Sequence, residues 1–363
     1  MEIEDLANAI GNTTVEAIHA FQQASVAKNT TIGYASDWRA FTIWCEEQSM
    51  IALPAEPLTV AAYLTFHANL VDADGDYFYA VGTLKRWLAA INKAHELRSE
   101  TKPGPHPEVA TTISGISRKH ARPIARKAPL LLADLKRVLG EIDLSSWPAG
   151  VIGHRDHAML LMGFTGAYRR SELAGLQIGD IVFHIDDGLH VLLRSSKTDQ
   201  EGRGLIKGLP YGSSPLSCPP CAFARWVRVL AASENDQATL KRTLETANTL
   251  KHVCRDPLPE LLRLDANSAA FRPVMKNGRI MDRPITGAVV NSTVKSRAAN
   301  AGLNSVTLGA HSLRAGFVTQ AFRAGASHHE IMRQTGHKSV AVLETYSREN
   351  NPLLHNAVTG IGL

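Results

Sequence analysis

The feature that most constrains this fold is a proline break after the first quarter of the chain. Pro103, Pro105 and Pro107 fall within five residues, in the segment TKPGPHPEV. Proline lacks a backbone N–H and breaks a helix interior, so continuous helical structure is expected to stop here. At 363 residues the chain is also too long for one ordinary core, since domains usually hold about 100–200 residues. We therefore expect two domains on either side of the break.

The sequence before the break predicts a helical domain. Tyr34, Trp38, Phe41 and Cys45 recur at the spacing of one helix face. The segments EPLTVAAYLTFHANL and YAVGTLKRWLAAINKAHEL predict two further helices. We assign residues 1–12 to an N-terminal tail and residues 13–105 to a compact helical domain.

A basic stretch follows the break and leads into a second, larger domain. SGISRKHARPIARKAP contains five Lys or Arg residues and no carboxylate, and we assign residues 106–129 to a basic linker. Most charge runs are solvated surfaces, but one between two domains suits contact with a phosphate backbone. Residues 130–350 are predicted to be mainly α-helical with a small β-hairpin in GLHVLLRSSKTDQEGRGLIKGLP. Residues 351–363 form a C-terminal tail that can fold back on its own domain or dock on a neighbouring subunit.

Composition excludes several classes of protein. Hydrophobic residues make up 44% of the chain and charged residues 20%, which is typical of globular proteins. No apolar run approaches the ~20 residues that a membrane-spanning helix needs. The N-terminus, MEIEDLANAI, lacks the basic-then-apolar order of a signal peptide, and four cysteines indicate a reducing compartment. A net charge of +5 permits a nucleic-acid partner without requiring one.

Two segments of the second domain place arginine beside a second functional side chain. In GAYRRSEL, Arg169 and Glu172 share one helix face, whereas Arg170 points about 100° away. In AHSLRAGF, His311 and Arg314 are also three residues apart. Each pair alone is more typical of a helix surface than of a site.

A third segment brings a histidine and a tyrosine within reach of each other. In SHHEIMRQTGHKSVAVLETY, Ser327 and Glu330 predict a capping box at the start of a short helix. Gly336 is expected to end that helix in the left-handed conformation. This break lets His337 and Tyr346 face one site, which an unbroken helix would place on opposite sides.

Together these residues suit attack on a phosphodiester. Arg169 and Arg314 can grip its non-bridging oxygens and stabilise the extra charge of a pentavalent transition state. The Tyr346 hydroxyl, with an ordinary pKa of about 10, needs a base and a positive field to attack at neutral pH. His311 is a candidate proton acceptor, and His337 is a candidate donor to a phosphate oxygen.

Lys197, in the predicted hairpin turn, is the candidate for protonating the departing 5′ oxygen. There is no acidic metal cage and no GxxxxGK nucleotide loop, so neither Mg²⁺ nor ATP is implied, and we expect no cofactor. Cys218-Pro-Pro-Cys221 has the spacing of half a zinc site, and only His252 and Cys254 lie elsewhere to complete it. We interpret these prolines as the start of the helix AFARWVRVL and expect no bound metal.

The order and spacing of these motifs resemble the tyrosine recombinase/integrase family of phages and mobile elements. GAYRRSEL, KTDQEG, HSLRAGF and TGHKSVAVLETY occur in family order, and TIGYASDWRAFTIWC and GTLKRWLAAINKAHE resemble the family's core-binding domain. The resemblance implies a helical core-binding domain and a mixed α/β catalytic domain that form a C-shaped clamp round duplex DNA. It also implies a nucleophile, Tyr346, an auxiliary acidic residue, Glu172, and five residues round the scissile phosphate: Arg169, Lys197, His311, Arg314 and His337.

The resemblance implies a site-specific DNA recombinase that works through a 3′-phosphotyrosyl intermediate and a Holliday junction, in integration, excision or resolution. Because strands are exchanged in pairs, we expect a homotetramer on two DNA sites and a monomer before DNA binds, in a bacterial or phage-type cytoplasm and associated with the nucleoid. Basic residues are expected to contact the DNA: Lys85, Arg86, Lys93, Arg118, Lys119, Arg122, Arg126 and Lys127.

Other functions remain open for the same residues. A hairpin telomere resolvase or a type IB topoisomerase would use them too, but the two-domain length fits a simple recombinase better. A catalytically inactive DNA-binding regulator or accessory protein is the alternative from a different class, and the complete set of residues argues against it. With about a dozen residues ahead of the helical domain, we expect no separate arm-site domain.

Overall fold

The computed structural model describes residues 28–122, 126–194, 204–247 and 249–350, together with Thr14, Ala17 and Phe21. The chain divides into two compact units, Met1–Ile124 and Ala125–Leu363. Within the described residues, no helix is both long enough and apolar enough to span a membrane.

The first unit is helical, as the sequence predicts. Its described helices are α1 (Lys28–Glu47), α2 (Pro57–Ala68), α3 (Val81–Glu96) and α4 (Pro107–Lys119). Aromatic side chains form its centre: Tyr63 of α2 lies 5.0 Å from Phe41, 5.3 Å from Trp44 and 5.6 Å from Trp87, measured between ring centroids. Such packing buries large apolar areas, so α1, α2 and α3 are joined round one core.

The predicted linker at 106–129 is wrong over its first half. Pro107 begins α4, and Val109 and Ile116 of this helix are buried in the core of the first unit. Proline at the start of a helix costs no intrahelical hydrogen bond, because the first N–H groups of a helix have no partner within it. The proline cluster therefore lies within a single unit, where Pro107 starts a helix, and the helical unit extends beyond residue 105.

The second unit is built round a helix that is buried on nearly all sides. This helix is α6 (Ala149–Thr165), and it packs against α8 (Pro219–Ser233) and α11 (Ala310–Arg323). Its apolar residues lie in the core of the unit, and its buried charges are paired, since Asp156 lies 2.6 Å from Arg155 and 2.8 Å from Arg297. The other described helices of this unit are α5 (Leu132–Gly140), α7 (Arg170–Ala174), α9 (Gln237–Glu245), α10 (Gly287–Asn300), α12 (His328–Thr335) and α13 (Val340–Asn350).

A small antiparallel sheet completes the second unit. Its order is β1 (Ile181–His184), β2 (Gly188–Leu193) and β3 (Leu205–Pro210). The hairpin of β2 and β3 is confirmed, and β1 adds a third strand that the sequence patterns did not reveal. The mainly α-helical fold class with a small sheet is also confirmed. Residues 195–203, which join β2 to β3, lie outside the described residues.

Helix α11 is held against the segment that leads into α5 by a close backbone contact. Leu130 N–H donates to the Ser312 carbonyl over 2.9 Å. A Cβ added at Gly316 would lie 1.9 Å from the Leu130 carbonyl oxygen, so only glycine allows this approach. The contact fixes the position of the helix that carries His311 and Arg314.

Gly316→Ala should therefore destabilise the second unit, by about 1–3 kcal/mol or more, because the added methyl group forces the two segments apart. Urea unfolding at neutral pH measures the effect. The matched control is Gly140→Ala, at the end of α5, where an added Cβ meets nothing within 4 Å. Equal unfolding midpoints for the two variants would contradict the prediction.

Candidate active site

Tyr346 and His311 come together from two helices of the second unit. The Tyr346 hydroxyl, on α13, lies 2.9 Å from Nε2 of His311, in the first turn of α11. Burial and the nearby Arg314 cation lower the pKa of His311, which favours a neutral ring at pH 7. In its Nδ1–H tautomer, a neutral His311 accepts the phenolic hydrogen at Nε2. The pair thus places a base directly beside a hydroxyl group.

The left-handed turn predicted at Gly336 is confirmed. Gly336 has a φ angle of +71° and ends α12, and the predicted capping box of Ser327 and Glu330 begins that helix. The turn leaves the rings of His337 and Tyr346 6.0 Å apart, measured between centroids. Both side chains therefore lie on the same side of the second unit.

Arg314 is buried, with 1% of its surface exposed, and is held by two acceptors. Its guanidinium donates to the Ala167 carbonyl over 2.6 Å and to His337 Nε2 over 2.9 Å. Because arginine only donates, the His337 proton must sit on Nδ1, which lies 2.8 Å from Thr335 Oγ1. Thr335 in turn donates to the Ile331 carbonyl over 2.8 Å. In this arrangement both nitrogens of His337 are engaged, and the ring orients Arg314.

Arg169 precedes α7 and is paired with a carboxylate. Its guanidinium lies 2.6 Å from Glu172 Oε1, and its backbone N–H donates to Glu172 Oε2 over 2.9 Å. The Glu172 side chain is 4% exposed and that of Arg169 is 23% exposed. Glu172 therefore fixes the direction of Arg169 while the guanidinium stays accessible. Arg170, the first residue of α7, is exposed.

Lys207 is a residue of this region that the sequence patterns did not single out. It lies on the inward face of β3, is 1% exposed, and donates from Nζ to the Gly166 carbonyl over 2.7 Å. Gly166 and Ala167 are consecutive, so Lys207 and Arg314 hold adjacent carbonyls of one turn. The available signal was the alternation in LIKGLP, which puts this lysine on the buried face and the isoleucine before it on the exposed face.

The described side chains of this region carry more positive than negative charge. Burial and, to a smaller extent, repulsion from Arg169 lower the pKa of Arg314 to about 10. Burial, together with the Arg314 cation, lowers the pKa of Lys207 to about 7 and that of His337 to about 3. Glu172 acts in the opposite direction on both Arg314 and Lys207. An anion placed among these groups would relieve their repulsion, so the region favours an anionic ligand.

Of the other predicted site residues, Lys197 lies outside the described residues. On α3, Lys85 is exposed, Arg86 lies 2.5 Å from Asp37, and Lys93 lies 3.5 Å from Glu96. These two ion pairs partly neutralise the basic face of the helix. The remaining predicted DNA contacts are exposed in the residues from the last turn of α4 onward: Arg118, Lys119, Arg122, Arg126 and Lys127.

The described residues contain two groups of three or more side chains of metal-ligand type. One consists of Cys218, Cys221, His252 and Cys254, and the other of His184, Asp187 and His190. Neither group includes a predicted catalytic residue. The chemistry available between Arg169, Arg314, His311 and Tyr346 is proton transfer from a phenol and electrostatic stabilisation of an anion.

Comparison with known proteins gives matches along most of the chain. No family model matches it. An integrase/recombinase XerD homolog of Selenomonas ruminantium is 28% identical over 339 residues, which cover 93% of this chain and 86% of that protein. The Tn1549 transposon integrase in complex with transposon right-end DNA has a TM-score of 0.50 at 15% identity, over 91% of this chain and 92% of that one. XerH recombinase bound to palindromic difH has a TM-score of 0.49 at 15% identity, over 84% and 72%.

The comparisons agree with the fold and with the motifs of the sequence. The solved structure with a TM-score of 0.50 supports the mainly helical fold, and the curated relative matches across both units. The resemblance to the tyrosine recombinase/integrase family is thereby confirmed.

Lys207→Met should reduce the increase in the free energy of unfolding that accompanies a rise in pH above 7. The Lys207 pKa is about 7 in the folded chain against an ordinary value of 10.5, so between these values the unfolded chain binds more protons. The free energy of unfolding of the wild type should then rise with pH, by up to about 1.4 kcal/mol per unit, and the variant should lack this contribution. Below pH 7 both states carry the proton, and the contribution to the slope vanishes.

Urea unfolding of both proteins at several pH values from 6 to 9 provides the measurement. Lys276→Met, at an exposed position, is the matched control and should keep the wild-type slope. Parallel profiles for wild type and Lys207→Met would show that Lys207 keeps its proton throughout this range, against the prediction.

Proposed function

We propose that this chain is a site-specific DNA recombinase that breaks and rejoins DNA with Tyr346 as its nucleophile. The observation that carries the proposal is the Tyr346 hydroxyl, 2.9 Å from His311 Nε2. The buried Arg314 guanidinium, which lowers the pKa of the same histidine, supports it. Similarity to an integrase/recombinase over 93% of the chain supports the same function from an independent direction.

In the cleavage step, Tyr346 Oη attacks the phosphorus atom and the bond from phosphorus to the 5′ oxygen breaks. The phenolic proton passes to His311 Nε2, and the departing 5′ oxygen takes a proton from Lys197, as the family resemblance implies. The products are a 3′-phosphotyrosyl link and a free 5′ hydroxyl. The link conserves the energy of the broken ester, so rejoining needs no nucleotide hydrolysis.

Arg314 and Arg169 would stabilise the charge that develops on the phosphate oxygens. A guanidinium has five N–H donors, and Arg314 uses two groups, Nη1 and Nη2, to reach Ala167 and His337. The fork thus keeps donors for phosphate oxygens while its orientation is fixed in advance. Preorganised donors of this kind stabilise a transition state without reorganising during the reaction.

Strand exchange requires a second duplex whose free 5′ hydroxyl attacks the phosphotyrosyl link. Cleavage and rejoining of strands in pairs need four active sites on two DNA sites, and a homotetramer on DNA supplies them. Specific binding would combine phosphate contacts from the exposed basic residues with base contacts from helices such as α3, so affinity should fall steeply with salt. The protein would then act on the bacterial nucleoid.

Tyr346→Phe should abolish covalent capture of DNA and leave DNA binding intact, because it removes only the attacking oxygen. The target duplex is first obtained by sequencing the fragments that Tyr346→Phe protein retains from a genomic library. A nicked suicide version of that duplex then traps the wild-type intermediate, which is read as a slow band on a denaturing gel.

Tyr211→Phe is the matched control, since the Tyr211 hydroxyl donates to the His184 carbonyl in a different part of the second unit. It should still form the covalent band. A band that persists with Tyr346→Phe would refute the assignment of the nucleophile. A wild-type protein that binds the duplex tightly but never forms the band would instead be a DNA-binding regulator.

Arg314→Lys should slow cleavage by about 10²–10³-fold while DNA affinity changes little, because the charge remains but the forked donors are lost. Single-turnover cleavage gives the rate, and fluorescence anisotropy with labelled duplex gives the affinity. Thermal unfolding establishes that the variant is folded. If affinity and rate fall by the same factor, Arg314 serves to dock the DNA and not to stabilise the transition state.

A further inference from the structure

Four side chains of metal-ligand type converge in the second unit, in a cluster that the proposed recombination does not use. They are Cys218 and Cys221, at the start of α8, and His252 and Cys254, in the segment after α9. All four ligand atoms lie within 4.8 Å of one another. Cys218, Cys221 and Cys254 are buried, while His252 is exposed.

Three distances within the cluster are close to those of a tetrahedral metal shell. Zinc binds sulfur at about 2.3 Å and imidazole nitrogen at about 2.0–2.1 Å, which puts tetrahedral sulfur atoms about 3.8 Å apart and sulfur and nitrogen about 3.6 Å apart. Cys218 Sγ lies 3.9 Å from Cys254 Sγ. His252 Nδ1 lies 3.4 Å from Cys221 Sγ and 3.9 Å from Cys254 Sγ. A disulfide would need two sulfurs about 2.05 Å apart, so the cluster does not have disulfide geometry.

Backbone donors are aimed at two of the sulfurs. Gly212 N–H donates to Cys218 Sγ over 3.3 Å, and Val253 N–H donates to Cys221 Sγ over 3.3 Å. Hydrogen bonds to sulfur favour the thiolate, which is the form that binds metal. The protein thus supplies outer contacts that hold these ligands in place and stabilise their charge.

A buried cation balances the charge of such a site. Arg225, on α8, is 2% exposed; burial lowers its pKa, and negative charge on Cys221, Cys218 and Cys254 acts in the opposite direction and favours the protonated form. Three thiolates, one neutral histidine and Zn²⁺ together carry a net charge of −1. Arg225 compensates that charge, so the metal-bound cluster and its neighbour form a neutral group within the protein.

We propose that Cys218, Cys221, His252 and Cys254 bind a structural Zn²⁺ ion. Soft thiolate ligands in a tetrahedral arrangement select zinc among the common divalent ions. Four protein ligands fill the coordination shell and leave no position for a substrate or water, which is the mark of a structural site and not a catalytic one. Binding displaces the remaining thiol protons to solvent.

A pair of ligands separated by one residue, His252 and Cys254, can complete such a site. His252 and Cys254 take the place of a second Cys-x₂-Cys because the segment after α9 returns to the start of α8. Pro219 does begin α8, as the sequence predicts, and that same helix start presents both Cys218 and Cys221. Zinc would tie together the residues that follow β3, the N-terminus of α8 and the segment after α9.

Metal analysis of full-length protein tests the proposal. Protein expressed in medium containing zinc, and purified without an affinity tag that binds metal, should carry about one zinc per chain by mass spectrometry of the elements. Cys254→Ser and His252→Gln should lower the zinc content at least several-fold. Cys45→Ser, a buried cysteine of the first unit, and His190→Gln, from the exposed group of metal-type ligands, are the matched controls and should leave the content unchanged.

Two further measurements on the wild type keep the test decisive if a cysteine variant fails to fold. Titration with a mercurial reagent should release one zinc as the cluster thiols react. Replacement by Co²⁺ should give a thiolate-to-cobalt charge-transfer band and the strong visible bands of tetrahedral cobalt. Protein that contains no zinc and takes up no cobalt in this form would overturn the proposal. A zinc content unaffected by Cys254→Ser, or a Cys218–Cys254 disulfide in the native protein, would also overturn it. None of these outcomes depends on Tyr346.

Discussion

The arrangement of the candidate active site depends on one buried guanidinium. Arg314 is almost fully enclosed, and its two acceptors, Ala167 and His337, come from segments on opposite sides of it in sequence. A buried charge without acceptors is strongly destabilising, so the turn at Ala167 and the position of His337 after Gly336 are both tied to the presence of this side chain. The neutral, Nδ1-protonated state of His337 follows from the same requirement. Arg314 thus has both a structural role and a proposed catalytic role.

The surrounding electrostatics explain why such an arrangement suits phosphate. Arg169, Arg314 and Lys207 act on one another unfavourably, and Glu172 offsets only part of that repulsion. A phosphodiester between them would lower the energy of every cation at once, and a pentavalent transition state with an additional charge would do so more strongly. The part of the fold that is electrostatically strained without a ligand is therefore the part that gains most when an anion arrives. Lys207 would then take up a proton and reinforce the field.

Local sequence patterns were sufficient to predict features that are determined by residues close together in the sequence. The helix face of Phe41 and Cys45, the capping box of Ser327 and Glu330, the left-handed Gly336 and the hairpin of β2 and β3 could all be predicted from neighbours in sequence. Prediction failed for features that depend on contacts between residues far apart in the sequence. A proline can end a helix or begin one, and only the burial of Val109 and Ile116 in the first unit shows that Pro107 begins a helix of that unit. The burial of Lys207 depends on a carbonyl at Gly166, 41 residues away, and the approach of His252 to Cys221 spans 31 residues.

Tyr346 reaches His311 within one polypeptide, and Arg314 lies three residues beyond His311 on the same helix. In this fold, the Tyr346 hydroxyl and the Arg314 guanidinium of one active site both come from the same polypeptide. Two defective copies, one without the phenol oxygen and the other without the arginine, cannot lend each other the missing part through this arrangement. Genetic complementation between such alleles would therefore require that α13 detach from its own subunit and be exchanged with α13 of a neighbouring subunit.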